Sequence, residues 1–247
     1  MANSTKQVYL IHGWAANRHV FADLVPRLPS DWQVQSLDLL GHGEATFSGD
    51  FQIDEAVNQL AEQIADDSIV VGWSLGGLLA LLLAHRFPNK VRALCLTASF
   101  AKLKAENDYP EGLNQVALGK MVNLFAQDYH KYMKQFLELQ FLYAKERQNI
   151  IAQILPDIAK HGSPPALQAA LDAVENADAR AILPDIRVPT LLIFGGKDGI
   201  TPPRMGEYLQ KHLPNARLET IAQAAHAPFL SHADEFAQLL CAFVEQV

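Results

Sequence analysis

The chain has 247 residues, of which 49% are hydrophobic and 19% charged, and its formal net charge is −7. That length suits one large domain or a core carrying an insertion. The acidic balance argues against a nucleic-acid-binding surface, which draws on clustered Lys and Arg.

Strand and helix signals alternate from the N-terminus onward. The opening MANSTKQVYLIHGW has no basic region leading into a long apolar stretch, so no secretory signal is expected. QVYLIHGW reads as a buried strand entering a Gly turn, followed by a helical stretch around residues 21–28. DWQVQSLDLLGHG is a second strand with a Gly-rich exit. In IDEAVNQLAEQIA, Ile53, Val57, Leu60 and Ile64 recur at helical spacing, and Asp54 and Glu55 favour the helix N-terminus.

The run SIVVGWSLGGLLALLLA, residues 68–84, is long and apolar. Gly72, Ser74, Gly76 and Gly77 interrupt it, which excludes a membrane span and places a turn in its middle. SIVVG becomes a third strand, apolar on both faces. A helix runs from Leu75 to Arg86 and VRALCLTAS is a fourth strand. From residue 105 to 181 the periodicity is helical, with no strand candidate. Alternation resumes with VPTLLIFGG, a helix after Pro203, the strand ARLETIA and a closing helix from Ala233. The expected fold is therefore α/β: a mostly parallel sheet of about six strands with helices on both faces. The expected core is 1–104 with 182–247, and 105–181 is an all-helical lid.

Gly72-Trp73-Ser74-Leu75-Gly76 fits G-x-S-x-G between a predicted strand and a predicted helix. Such a turn lifts a serine hydroxyl clear of the sheet, beside the free N–H groups of a helix N-terminus. A serine becomes a nucleophile only with a base, and the base needs an orienting carboxylate. Asp198 follows its strand at the carboxyl end, whereas Asp185 precedes that strand and Asp178 lies in the insertion. Among nine histidines, His226 follows the last predicted strand between small residues, while His232 falls near the start of the final helix. His85, His130, His161 and His212 read as surface or helix residues, His19 has no motif, and His12 reads as structural. Ser74, Asp198 and His226 are thus the candidate catalytic set. The backbone N–H groups of Leu75 and Trp14 are the candidate oxyanion donors. No metal-ligand spacing or phosphate loop is present, so neither metal nor cofactor is expected.

Cys95 and Cys241 stand in apolar runs without a C-x-x-C pair. Two free thiols in a reducing compartment, the cytoplasm, are expected.

LIHGW, DLLGHG, GWSLGG, FGGKDGITP and AAHAPF occur in the order found in α/β-hydrolases, a family the chain resembles over essentially its whole length. HGW, VGWSLGGL, FLELQ and AAHAPFLSHADEFAQLL are similar to one branch of that family. That branch comprises carboxylesterases that remove the methyl ester from a pimeloyl chain carried on acyl-carrier protein in biotin synthesis. The resemblance implies a monomeric serine esterase in which Phe136 faces the acyl chain and insertion cations meet the carrier. Many such relatives carry an N-terminal hairpin before the first core strand, and it is expected to be missing here. Lys131, Lys134, Lys145 and Arg147 are the available cations, and residues 120–147 hold five Lys or Arg against three Asp or Glu. The same fold and residues also suit a generalist short-chain esterase, a C–C hydrolase or lyase, or a non-catalytic receptor.

Overall fold

Aliphatic runs alternating with amphipathic stretches build a six-stranded parallel sheet in a computed structural model. It describes residues 5–47, 49–114, 116, 124, 127–140, 148–149, 151–152 and 164–247. The strands are β1 (Gln7–Ile11), β2 (Gln33–Leu37), β3 (Ser68–Trp73), β4 (Val91–Thr97), β5 (Thr190–Gly195) and β6 (Ala216–Ile221). The helices that cover them are α1 (Ile53–Gln63), α2 (Leu75–Arg86), α3 (Tyr129–Gln140), α4 (Pro164–Asn176), α5 (Pro203–His212), α6 (Pro228–Ser231) and α7 (Ala233–Val244).

The strand order is β2-β1-β3-β4-β5-β6, so the chain runs outward from β1 to β2 and then crosses back to β3. That reversal opens a crevice between the carboxyl ends of β1 and β3, where parallel sheets bind ligands. Successive residues of each strand face opposite ways. Val8, Leu10, Ile69, Val71, Cys95 and Ile193 pack with Phe236, Leu240 and Val244 of α7. Tyr9, Ile11, Val70, Leu94, Leu192 and Phe194 pack with α1, α2 and α5 on the other side. β3 and β5 are buried at every position, which is why their sequences are nearly all apolar, while the edge strands β2 and β6 carry exposed polar positions. Each buried Leu, Ile or Phe contributes about 1.5–3 kcal/mol by leaving water. Cys95 and Cys241 are free thiols, and burial raises the pKa of both.

Two stretches differ from the sequence reading. The helix expected around residues 21–28 is replaced by two single 3-10 turns, Arg18–Phe21 and Val25–Arg27. Pro26 lacks the N–H that a longer helix would need. The start of the insertion is also not helical: the bridges Lys104 to Leu113 and Glu106 to Tyr109 fold residues 104–113 into turns. Its composition, with Asn107, Asp108, Pro110, Gly112 and Asn114, favours turns over helix.

A third bridge, Lys102 to Asp178, draws the two ends of the insertion together. Lys102 Nζ lies 2.7 Å from Glu106 and 3.1 Å from Asp178, and Arg180 lies 2.7 Å from Asp178 and 3.1 Å from Asp108. Burial alone would raise the Asp178 pKa, but hydrogen bonds from Arg180 and Lys102 hold it at about 2.

Where β1 and β2 end, His12 Nδ1 donates to Gly13 O at 2.7 Å and His12 Nε2 accepts from Leu39 N at 3.0 Å. Only a neutral ring can make both bonds. His12 is therefore not an ionic partner of Asp38, although 3.8 Å separates them. Burial, and then the nearby His42, lower the His12 pKa to about 3, and burial lowers that of His42 to about 4. Folded pKa values depressed in this way give stability that is complete above about pH 6.5 and lost as pH falls towards the folded values. Each ring costs about 1.4 kcal/mol per pH unit within that window. Urea midpoints are expected to drop steeply between pH 6.5 and 4.5. His42→Asn keeps a donor for Leu40 O but cannot titrate, so its acid dependence should be shallower; an unchanged slope contradicts the assignment.

Candidate active site

β3 and α2 meet with no connecting loop. Ser74 alone joins them, at φ +55° and ψ −117°, a left-handed conformation that costs a non-glycine residue about 1–3 kcal/mol. Its geometry is imposed by close backbone approach. A Cβ on Gly76 would stand 2.3 Å from Ile11 O and 2.5 Å from His12 O, and one on Gly72 would stand 2.6 Å from Gly76 O. The helix therefore starts hard against the end of β1. Ser74 N donates to Thr97 O at 3.0 Å, while Ser74 O accepts from Gly77 N at 2.9 Å and opens the first turn of α2. Leu75 is the first residue of that helix, so its N–H has no earlier turn to bond and points into the anion-favouring end.

Asp198 and His226 come from the loops after β5 and β6. Those loops are tied by Gly196 N to Ile221 O and Lys197 N to Ala224 O, each at 3.0 Å. Asp198 Oδ1 accepts from Ile200 N at 2.8 Å and Thr201 N at 3.0 Å. Asp198 Oδ2 lies 2.9 Å from His226 Nδ1. An ionised carboxylate only accepts, so the imidazole proton sits on Nδ1 and Nε2 is left with its lone pair. Both side chains are buried, Asp198 at 4% exposure and His226 at 2%. The backbone of the His226 loop is held by Trp73, whose Nε1 donates to His226 O at 2.9 Å and whose ring packs on Phe229.

Ser74 and His226 face one cavity of about 40 Å³, shared with Trp14, Leu75 and Phe136. The remaining wall is apolar and includes Leu113 and Leu171 from the insertion. Trp14 spans the gap between core and lid. Its Nε1 donates to Leu167 O of α4 at 2.7 Å, and its ring meets the edge of Phe136 of α3 with centroids 5.5 Å apart. Such a site presents a hydroxyl, a basic imidazole nitrogen and a helix-end N–H to whatever enters, in a largely apolar pocket where each is electrostatically strong.

The sequence of residues 6–233 matches the family model described as the alpha/beta hydrolase fold. The chain belongs to the α/β-hydrolase fold family. It is 60% identical over 247 residues, 100% of this chain and 96% of the relative, to a protein of Neisseria meningitidis serogroup C named pimeloyl-[acyl-carrier protein] methyl ester esterase. A protein of the same name from Chromobacterium violaceum is 33% identical over 96% of this chain and 94% of its own. Among solved structures, an esterase from Exiguobacterium antarcticum superposes with a TM-score of 0.89 at 23% identity, covering 97% of this chain and 92% of that one. That last likeness concerns the fold.

Of the residues that the sequence singled out, Ser74, Leu75, Trp14, Phe136 and His226 line the hydrolase cavity, and Asp198 stands behind His226. Asp185 is exposed and Asp178 is committed to the insertion's ion pairs. Lys131 and Lys134 are exposed on α3, away from the cavity, while Lys145 and Arg147 lie outside the described residues. Two contributors carried no role in the sequence reading. Trp73 was visible only as the variable position of the serine motif. Thr201 was signalled by the D-x-x-T spacing, which suits an Asp side chain bonding backbone N–H groups two and three residues on.

Gly76→Ala should cost at least about 3 kcal/mol in chemical denaturation, because backbone oxygens of β1 stand where the methyl group must go. Gly199→Ala, with nothing within 4 Å of the added carbon, should stay within about 0.5 kcal/mol of wild type. Equal effects of the two substitutions would contradict the close-approach explanation.

Proposed function

We propose that this chain is a serine carboxylesterase that hydrolyses the methyl ester of a pimeloyl group carried on acyl-carrier protein. The carrying observation is His226, bonded through Nδ1 to Asp198 and opening with Ser74 onto one apolar cavity under the lid. The ester class follows from relatives of that name at 60% identity over the whole chain.

Ser74 Oγ attacks the ester carbonyl as His226 Nε2 takes its proton. Asp198 holds the resulting imidazolium through Nδ1–H. The Leu75 and Trp14 N–H groups receive the developing oxyanion. His226 returns the proton to the methoxide, methanol leaves, and the acyl group remains on Ser74. Water, deprotonated by the same imidazole, then cleaves the acyl-enzyme and releases the free carboxylate.

A cavity of about 40 Å³ holds only a few waters, less than a seven-carbon acyl chain fills. Binding that chain would need a wider site, and the Trp14 Nε1 to Leu167 O bond is one contact between core and α4 that would have to open. The lid's exposed Lys131 and Lys134 would meet an acidic carrier, where complementary charge steers encounter more than it adds affinity. The proposed lid boundaries are 105 and 181, beside the Lys102–Asp178 bridge.

Ser74→Ala is expected to lower p-nitrophenyl ester hydrolysis by at least about 10³-fold with an unchanged circular dichroism spectrum; near-wild-type turnover refutes the nucleophile. Exchanging Lys131 and Lys134 together for Glu should raise KM for the carrier-linked ester severalfold, more so at low salt, and spare the free methyl ester. An equal effect on both esters would place the change in the lid itself.

A further inference from the structure

The exit of β4, Thr97-Ala98-Ser99, is fully buried and touches both halves of the candidate machinery. On one side Thr97 O accepts from Ser74 N at 3.0 Å, and Ser99 Oγ donates to Ser74 O at 3.2 Å. On the other, Ala98 O accepts from Thr201 Oγ1 at 2.9 Å. Ala98 holds φ +46° to turn that carbonyl, a conformation that L-residues adopt only where their surroundings enforce it.

Thr201 is itself fully buried and its hydroxyl oxygen has two more neighbours, Asp198 Oδ2 at 2.8 Å and His226 Nδ1 at 3.2 Å. A hydroxyl has one proton and two lone pairs. Ala98 O and the Asp198 carboxylate both only accept, so the single proton is divided between them in a three-centre bond. The lone pairs are left to face His226 Nδ1–H. Every contact thus favours the same arrangement: Asp198 ionised, the imidazole proton on Nδ1, and Nε2 aimed away towards the cavity. Turning the ring over would set a C–H where Nδ1–H now donates, and moving the proton to Nε2 would set lone pairs against lone pairs.

We propose that Thr201 is a positioning residue: its hydroxyl ties the Asp198–His226 pair to the β4 exit that also grips Ser74, and so sets base and nucleophile in register. The proposal rests on the reading of Ser74, Asp198 and His226 as the catalytic set. Thr201 acts through Asp198 and His226 and touches no substrate.

Thr201→Val preserves the branched shape and removes the hydroxyl; Thr201→Ser preserves the hydroxyl and removes the methyl. With a small p-nitrophenyl ester, T201V should lower kcat about tenfold to a hundredfold with KM within about threefold. T201S should stay within about threefold of wild-type kcat. The acid limb of kcat/KM should move to higher pH in T201V, since a carboxylate that loses a donor is more basic and holds the imidazolium more tightly. Thermal unfolding checks each fold, and T201A replaces T201V should the latter not fold. Wild-type kcat and an unmoved acid limb in T201V overturn the proposal. Equal losses in T201V and T201S overturn it too, because shape and not the hydroxyl would then matter. S74A, run alongside, separates the two readings. If S74A stays active, the catalytic set is wrong and the proposal falls with it; if S74A is inactive and T201V is unaffected, only the role of Thr201 falls.

Discussion

At the junction of β3 and α2, two backbone surfaces come closer than any Cβ allows. Gly72 and Gly76 meet the carbonyls of Gly76, Ile11 and His12 at distances that leave no room for a methyl group. The residue between them must turn in the left-handed region, and Ser74 does so at φ +55°. Its side chain is thereby thrown off the sheet at the point where strand order reverses between β1 and β3. The neighbouring features follow from that placement. α2 begins immediately after Ser74, so its unsatisfied N–H groups point where an oxyanion would form, and the loops after β5 and β6 end on the same side of the sheet. Stability spent on the turn is recovered from α2, whose residues Leu75 to Leu81 are buried without a break between the sheet and α1.

Polar groups under this surface are arranged so that ionic charge appears in few places. His12 and His42 stay neutral because burial outweighs their polar neighbours. Asp38 is surrounded by donors instead, from Arg18 N at 2.7 Å and Glu44 N at 3.1 Å, and fixes the loop after β2. Asp198 likewise combines two roles. Its Oδ1 caps the loop through Ile200 and Thr201, while its Oδ2 meets His226. Capping the loop and orienting the imidazole are one structural act here. A larger cluster of opposite charges lies at the base of the insertion, where Arg180, Lys102, Asp178, Glu106 and Asp108 gather.

Legibility in the sequence tracked how local the physics was. The six strands, and α2 from Leu75 to Arg86, could be read because the central parallel strands are mostly apolar runs and alternate with helical periodicity. Ser74, Asp198 and His226 could be read because each follows a strand at its carboxyl end. Three features escaped for related reasons. Residues 21–28 carry helix-like spacing, yet Pro26 and the packing of Phe21 against Phe229 accompany two separate 3-10 turns, Arg18–Phe21 and Val25–Arg27. Residues 105–113 read as part of the helical insertion because the periodicity that follows them outweighs their turn residues. The roles of Trp73 and Thr201 depend on partners 153 and 103 residues away, His226 O and Ala98 O, which no window along the chain can contain.

The proposed mechanism carries the substrate's acyl group on Ser74 part-way through each turnover. Mixing the protein with an activated pimeloyl ester, quenching in acid within the first turnover and mapping the digest by mass spectrometry tests this directly. The peptide spanning β3 and the start of α2 should gain one acyl mass at Ser74. Turnover with that serine unmodified at every quench time, or an acyl group on another residue that forms and decays at the turnover rate, would contradict it.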